Sequence, residues 1–283
     1  MFYGYGILNN HVPTLKATTM GGGSSYIGLL DTYSGAIGAY SLRKLRSAYT
    51  GYAIRVRRSS DNTSQDIGFK VDGTLDTTTL TTFVGANSGF VSIWYDQANT
   101  NNLIQNTSTN QLRIISSGTL DILNGKPSLY NQAGGINRFL KVSFGSNLSQ
   151  PNTYFHLGSH STSGYVFDNY TATVQSAIYQ GTSTSMRLYA GVDLNLSFTP
   201  SITTQRLIFA LTNSTTSRIG VNGTAGVTGN SGTGYMNGLT LGAAGNDSLS
   251  SQAYHQEFIV WNSNQTTNRT GIETNINAFY TTY

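Results

Sequence analysis

From Tyr52 to Trp261 the chain is cut into short runs of β-branched and aromatic residues, each closed by Gly, Asn, Asp or Ser. "YAIRVRR", "FVSIWYDQ", "TYFHLGS", "GYVFDN", "SAIYQG", "QRLIFALT" and "YHQEFIVWN" are representative. Strands of this length joined by polar turns predict an all-β fold, a two-sheet sandwich. Where the runs alternate, they assign faces. Tyr52, Ile54 and Val56 fall on one side of their strand and Arg55 and Arg57 on the other, while Phe258 and Val260 lie opposite Glu257 and Ile259.

Two segments carry helical spacing instead. Ala36, Ala39 and Tyr40 form an i, i+3, i+4 stripe widened by Leu42 and Leu45. Ser34 stands as N-cap and Gly51 as the terminating residue, so a short helix is expected here. Near the end, Ile272 and Ile276 with Phe279 and Tyr280 define a second helix that would close the sandwich.

Charged residues are only 10% of the 283, against roughly a quarter in an ordinary soluble domain. Recurring aromatic and β-branched residues exclude disorder. Cysteine is absent, which removes disulfides, thiolate nucleophiles and cysteine metal sites. The basic run "RVRRSSD" is too narrow for a nucleic-acid face, and Asp61 and Asp66 stand ready to pair with Arg57 and Arg58. No run is long enough to span a bilayer. The first residues lack the pattern of a signal peptide. Residues 1–23 read as an arm ending in a Gly-rich joint, with Phe2, Tyr3, Tyr5, Ile7 and Leu8 as anchors against a partner chain. Residues 24–283 read as the sandwich domain.

Candidate chemistry is sparse. Asp96 and Gln97 end a strand and are expected to hold the following turn through backbone N–H groups. The only glutamates are Glu257 and Glu273. His156 and His160 in "FHLGSH" have a zinc-like i, i+4 spacing, but on a strand the two rings need not converge, so no metal is assigned. Asp168 and Asp247 are loop acids of the kind that bind calcium in laminin-G-like sandwiches, each without clustered acids. Tyr165, Tyr170, Tyr179, Tyr189 and Tyr235 lie among Asn, Gln and Thr. With Asp168 they suit either weak glycan contact or ordinary sandwich packing.

The ordered series "AYSLRKLRSAYTGYAIRVRRSSDNTSQDIGF", "LDTTTLTTFVGANSGFVSIWYDQANTNNLIQ" and "GKPSLYN" resembles the catalytic-type domain of fungal α-L-arabinofuranosidase B enzymes. It resembles still more a module in structural proteins of tailed bacteriophages, crAss-like phages and other Bacteroidetes phages among them. The resemblance implies a concanavalin A/laminin-G-like jelly roll. In the enzymes it implies a glutamate nucleophile and an aspartate acid/base, neither of which is matched here, and a vicinal cysteine pair that this chain cannot form. The expectation is therefore a non-enzymatic virion surface protein without cofactor, a capsid decoration, head fibre or tail-associated subunit. It would be held to other virion proteins by the arm, assembled as a homotrimer, and in contact with host surface polysaccharide. An arabinofuranosidase-like hydrolase and a secreted lectin are the alternatives.

Overall fold

A computed structural model of the chain describes residues 26–132, 137–161, 164–171 and 176–283. The arm and its anchors Phe2, Tyr3, Tyr5, Ile7 and Leu8 lie outside the described residues.

The strand Asn152–His160 pairs antiparallel with Arg206–Thr212 on one side and Ala253–Trp261 on the other. Ser217–Val221 and Gly38–Ser41 extend this layer at either edge. The facing layer contains Ile54–Arg58 beside Gly89–Trp94, and Leu140–Leu148 beside Met236–Leu241. Leu103–Ile104 bridges these two pairs. From Met236–Leu241 the layer continues through Gly164–Asp168 into three further strands, Ala177–Thr182, Ser185–Tyr189 and Asp193–Ser197. Tyr130 pairs with both Tyr254 and Arg113, carrying the hydrogen bonding from one layer into the other. The result is a mostly β, jelly-roll-like sandwich.

Period-two alternation explains why every residue of Asn152–His160 is buried. Tyr154 points into the core between the layers, with Phe167 and Phe258 at ring-centroid distances of 4.8 and 6.5 Å. Phe155 and Leu157 point outward into a second core with Ile259 and Trp261. The helix Arg269–Tyr280 covers that outer face with Ile272, Ile276 and Tyr280. Each such large apolar side chain contributes about 1.5–3 kcal/mol when fully buried. A bidentate Arg43–Glu257 pair (2.8 and 3.0 Å), extended to Asn275 on the helix at 2.9 Å, fixes the helix against the strand edge.

The helix expected after Ser34 is not formed. Gly35 adopts φ +82°, and Gly38–Ser41 is a strand along the edge of Ala253–Trp261. Ala39 joins the outer core and Tyr40 the inner one, so these neighbours serve opposite faces. The helix of this region is a single turn, Leu29–Thr32. A further helix, Thr77–Val84, starts where Asp76 accepts from the Thr79 N–H at 3.0 Å and stops at Gly85, φ +61°. The Arg55–Arg58 run pairs differently from expectation: Asp66 binds Arg55 and Asp61 binds Arg58, while Arg57 reaches Gln111 and Asn62.

Candidate active site

Twelve acids are present, and their partners separate them. Glu257 and Glu273 are buried in ion pairs with Arg43 and Arg269, and Asp121 with Arg113. Among the described residues two buried acids have no basic partner within ion-pair distance, Asp96 and Asp168. Asp96 is fully engaged in its turn: it accepts from the N–H groups of Ala39, Ala98 and Asn101 at 2.9, 2.8 and 3.1 Å. Gln97 beside it spans to Leu45, Ser41 and Arg43. Both tie the strand end to the segment after Gly35.

Asp168 differs. It is 3% exposed, yet it lines a cavity of about 230 Å³ whose other walls are Tyr165, Ala177, Tyr179 and Tyr189. Its oxygens accept from the N–H groups of Asn169 (2.7 Å) and Gly245 (2.9 Å). Burial pushes its carboxyl up to about 6, against the opposing pull of these hydrogen bonds and of Lys141. A carboxyl raised to about 6 in a pocket holds its proton through mildly acidic pH and is equipped to donate it there.

The pocket depends on a β-bulge. Tyr165 pairs with Tyr179, but Phe167 pairs with Ile178, so one strand spends an extra residue at Val166. In a regular strand, positions 165 and 168 would face opposite sides; the bulge lets both line one cavity. Cross-strand rows supply the rest. Tyr165, Tyr179 and Arg187 form one row, and Ala177, Tyr189 and Asp193 the next, with Ala177 small enough to leave the cavity. Tyr165 and Tyr179 stack at 5.2 Å and 25°. Tyr179 donates its hydroxyl to Asp193 at 2.6 Å, and Arg187 pairs with the other oxygen of Asp193 at 2.8 Å. Burial first, then the charges of Asp168 and Asp193 with Tyr189, raise the Tyr165 phenol.

A wider cleft of about 530 Å³ lies beyond the Gly245–Asp247 turn, lined by Asn102, Gln105, Asn106, Lys141, Tyr170 and Asp247 among others. Lys141 binds Asp247 at 2.5 Å and the Gly245 carbonyl at 2.9 Å. One turn therefore serves both cavities: its first N–H holds Asp168, and its last side chain faces the amide-lined cleft.

Of the tyrosines considered with Asp168, the structure brings Tyr165, Tyr179 and Tyr189 to the pocket. Tyr170 lies in the cleft, with Lys141 4.9 Å from its ring centre. Tyr235 is at neither wall; its carbonyl accepts from Asn169 at 2.8 Å. Arg187 and Asp193 were missed, although "MRLYAGVD" alternates in the way that puts Arg187 and Tyr189 on one face. His156 and His160 do converge, which strand spacing alone does not require, with ring centroids 4.9 Å apart and His255 alongside. Burial keeps all three neutral, His160 down to about 3.

The comparisons agree with this placement of the fold. The family model for the catalytic domain of α-L-arabinofuranosidase B matches residues 31–136. No curated protein matches the sequence. Similar solved structures include a GH54 α-L-arabinofuranosidase mutant soaked with 4-nitrophenyl α-L-arabinofuranoside (TM-score 0.65, 16% identity). The GH54 enzyme soaked with a cyclic sulfate inhibitor gives 0.66 and 16%. An arabinofuranosidase complexed with arabinofuranosyl-α-1,2-xylobiose gives 0.60 and 18%. Each alignment covers 85% of this chain and 62% of the other, so the chain spans about three fifths of those proteins. These matches correct the expectation of a non-enzymatic virion surface protein. The matching family model describes a catalytic domain and the similar structures are glycoside hydrolases, with nothing pointing to a phage particle. The hydrolase alternative is the better supported.

Proposed function

We propose that this chain is a glycoside hydrolase of the arabinofuranosidase type. The observation that carries the reading is Asp168: a buried carboxyl held near pH 6, without an ion-pair partner, in a pocket walled by three tyrosines. A cavity of about 230 Å³ lies below the ~300–1,000 Å³ that drug-sized ligands fill, which suits a single sugar ring. The tyrosine faces pack against the ring's C–H groups. The remainder of a glycan would cross the Gly245–Asp247 turn into the cleft, where the amides of Asn102 and Asn106 face its hydroxyls. The ligands named for two of the similar structures, an arabinofuranoside and an arabinofuranosyl xylobiose, have this form.

In this mechanism Asp168 gives its proton to the glycosidic oxygen as the bond to the anomeric carbon breaks. Asp247, fixed by Lys141 at the far side of the turn, lies on the leaving-group side and binds the departing part of the glycan. Water then adds to the cationic anomeric carbon from the side the leaving group has vacated and gives its proton to Asp168, which restores the acid. Asp193 does not act on substrate; it holds the Tyr179 wall upright.

The test is release of 4-nitrophenol from 4-nitrophenyl α-L-arabinofuranoside and of arabinose from arabinoxylan oligosaccharides. Wild-type turnover, lost by at least about a hundredfold in Asp168→Asn with the fold intact by circular dichroism, supports the reading. No turnover of any furanoside or pyranoside aryl glycoside by the wild type defeats it. Turnover untouched by Asp168→Asn defeats this assignment of the site.

A further inference from the structure

The site above leaves a second group of side chains unused. His156 and His160 on the Asn152–His160 strand and His255 on the adjoining Ala253–Trp261 strand are 1%, 2% and 0% exposed. One ring nitrogen of each lies within 4.8 Å of those of the other two. A slip in register brings them together: Leu157 pairs with Glu257 but Gly158 with His255, leaving Gln256 over as an extra residue. Gly158 adds room, since a Cβ there would stand 2.7 Å from the His156 ring.

Their hydrogen bonding does not close. His156 Nε2 and His255 Nδ1 face each other at 3.0 Å, which satisfies one N–H and one lone pair. The other four ring nitrogens, His156 Nδ1, both of His160 and His255 Nε2, have no partner. Native interiors rarely leave so many polar atoms of one cluster unmatched. Three neutral imidazoles converging with free lone pairs are a ligand set for a borderline transition-metal ion, and zinc accepts three histidines with a further position for water.

We propose that His156, His160 and His255 bind one Zn²⁺ ion as a structural staple between the two central strands. His156 Nε2 and His255 Nδ1, already 3.0 Å apart, are placed as two of the ligands; about 3.3 Å is the spacing that tetrahedral bonds of ~2.0–2.1 Å require. Rotation of the His160 side chain brings in the third. Metal-bound histidines hand their other N–H to an acceptor, and one is at hand. Asn131 donates through Nδ2 to the carbonyls of Arg138 and Gly242, which fixes its amide, and its Oδ1 is buried without a partner. Asn131 Nδ2 and His255 Nε2 both flank the bare Cα of Gly242, 2.8 and 3.3 Å from where a Cβ would stand. Binding at His255 Nδ1 leaves Nε2–H free to donate, and a small shift of the His255 ring or the Asn131 amide would bring it to this unpaired acceptor. A chain without cysteine would thereby gain a cross-link in its core.

The full chain is produced in zinc-supplemented medium, dialysed, and its metal content measured by plasma emission spectrometry. A second sample is stripped with a chelator and titrated with Co²⁺ while its visible spectrum is followed. The expected result is one equivalent of zinc per chain, and a strong ligand-field absorption on adding one equivalent of Co²⁺. His160→Gln and His255→Gln lose both signals, whereas His11→Gln, at the remaining histidine, keeps them. Wild-type protein that takes up no stoichiometric zinc and gives only the weak spectrum of hydrated cobalt overturns the proposal. Uptake lost in His11→Gln and kept in His160→Gln overturns it as well. The wild-type stoichiometry and spectrum decide the matter even where a core variant does not fold.

Discussion

The Gly245 N–H donates to Asp168 at 2.9 Å, and this bond ties the acid of the small pocket to the turn that borders the large cleft. Burial dominates over it, leaving the Asp168 carboxyl at about 6, well above the ordinary aspartate range. The protonated form is the one that donates to a leaving group. Activity on an aryl arabinofuranoside should therefore fall above about pH 6, approaching tenfold per pH unit. A kcat/KM profile from pH 4 to 9 checks this, and a flat profile through pH 6–8 speaks against Asp168 as the acid.

Lys141 pulls the same carboxyl downward by its charge. Replacing it with Gln removes that pull, so the alkaline limb should move to higher pH. The variant also frees Asp247 from its 2.5 Å partner in the glycan cleft, and KM for an arabinoxylan oligosaccharide should rise in a parallel assay. Comparing the inflection of Lys141→Gln with that of the wild type separates the two effects.

Tyr179 has two parts with separable tasks. Tyr179→Phe keeps the ring stacked on Tyr165 but breaks the 2.6 Å bond to Asp193. Tyr179→Ala removes the wall. An aromatic contact contributes about 0.5–1.5 kcal/mol beyond buried area, so Tyr179→Ala should raise KM by roughly two- to tenfold or more. Tyr179→Phe should raise it less. Steady-state kinetics on both variants would show the order, and equal KM values would place the sugar elsewhere.

Asp96 should matter for stability and not for turnover. Its two oxygens accept three backbone N–H bonds from Ala39, Ala98 and Asn101. An asparagine there turns an NH₂ group toward donors, at a cost of about 1–3 kcal/mol. Urea denaturation of Asp96→Asn should show that loss, while kcat at a temperature where the variant is folded stays within error of the wild type.

Breaking the Arg43–Glu257 pair should be among the most damaging single changes in the chain. Both side chains are buried, at 5% and 1% exposure, and removing one partner strands a charge, typically at about 3–5 kcal/mol. Glu257→Ala should lower the urea midpoint far more than Arg58→Ala, whose partner Asp61 is solvent-facing. Denaturation curves of the two variants test the order.

The parts of the fold legible in the sequence are those where one spacing had a single interpretation. Ile272, Ile276 and Tyr280 repeat at helical intervals in a segment without alternation, and they do cover the outer core. Phe258 and Val260 against Ile259 read as a strand with two apolar faces, and the structure divides them between the two cores. The stretch from Ala36 to Leu45 offered both periods, and the edge pairing with Ala253–Trp261 decided for strand. The pocket was half visible. Tyrosines and Asp168 could be flagged by type, but whether they meet depends on a bulge that no local pattern announces. The histidines show the same limit more sharply, because His156 meets a residue 99 positions away through a register slip between strands.

The extra residue at Val166 makes the tyrosine-lined pocket a question of counting. Tyr165 and Asp168 share a wall because the chain holds one more residue there than the opposite strand. Losing a single codon between them would turn the acid away from the tyrosines while leaving composition, length and core nearly as they were. Gain or loss of the site in a lineage can thus be one in-frame event, invisible to any comparison that scores overall similarity alone.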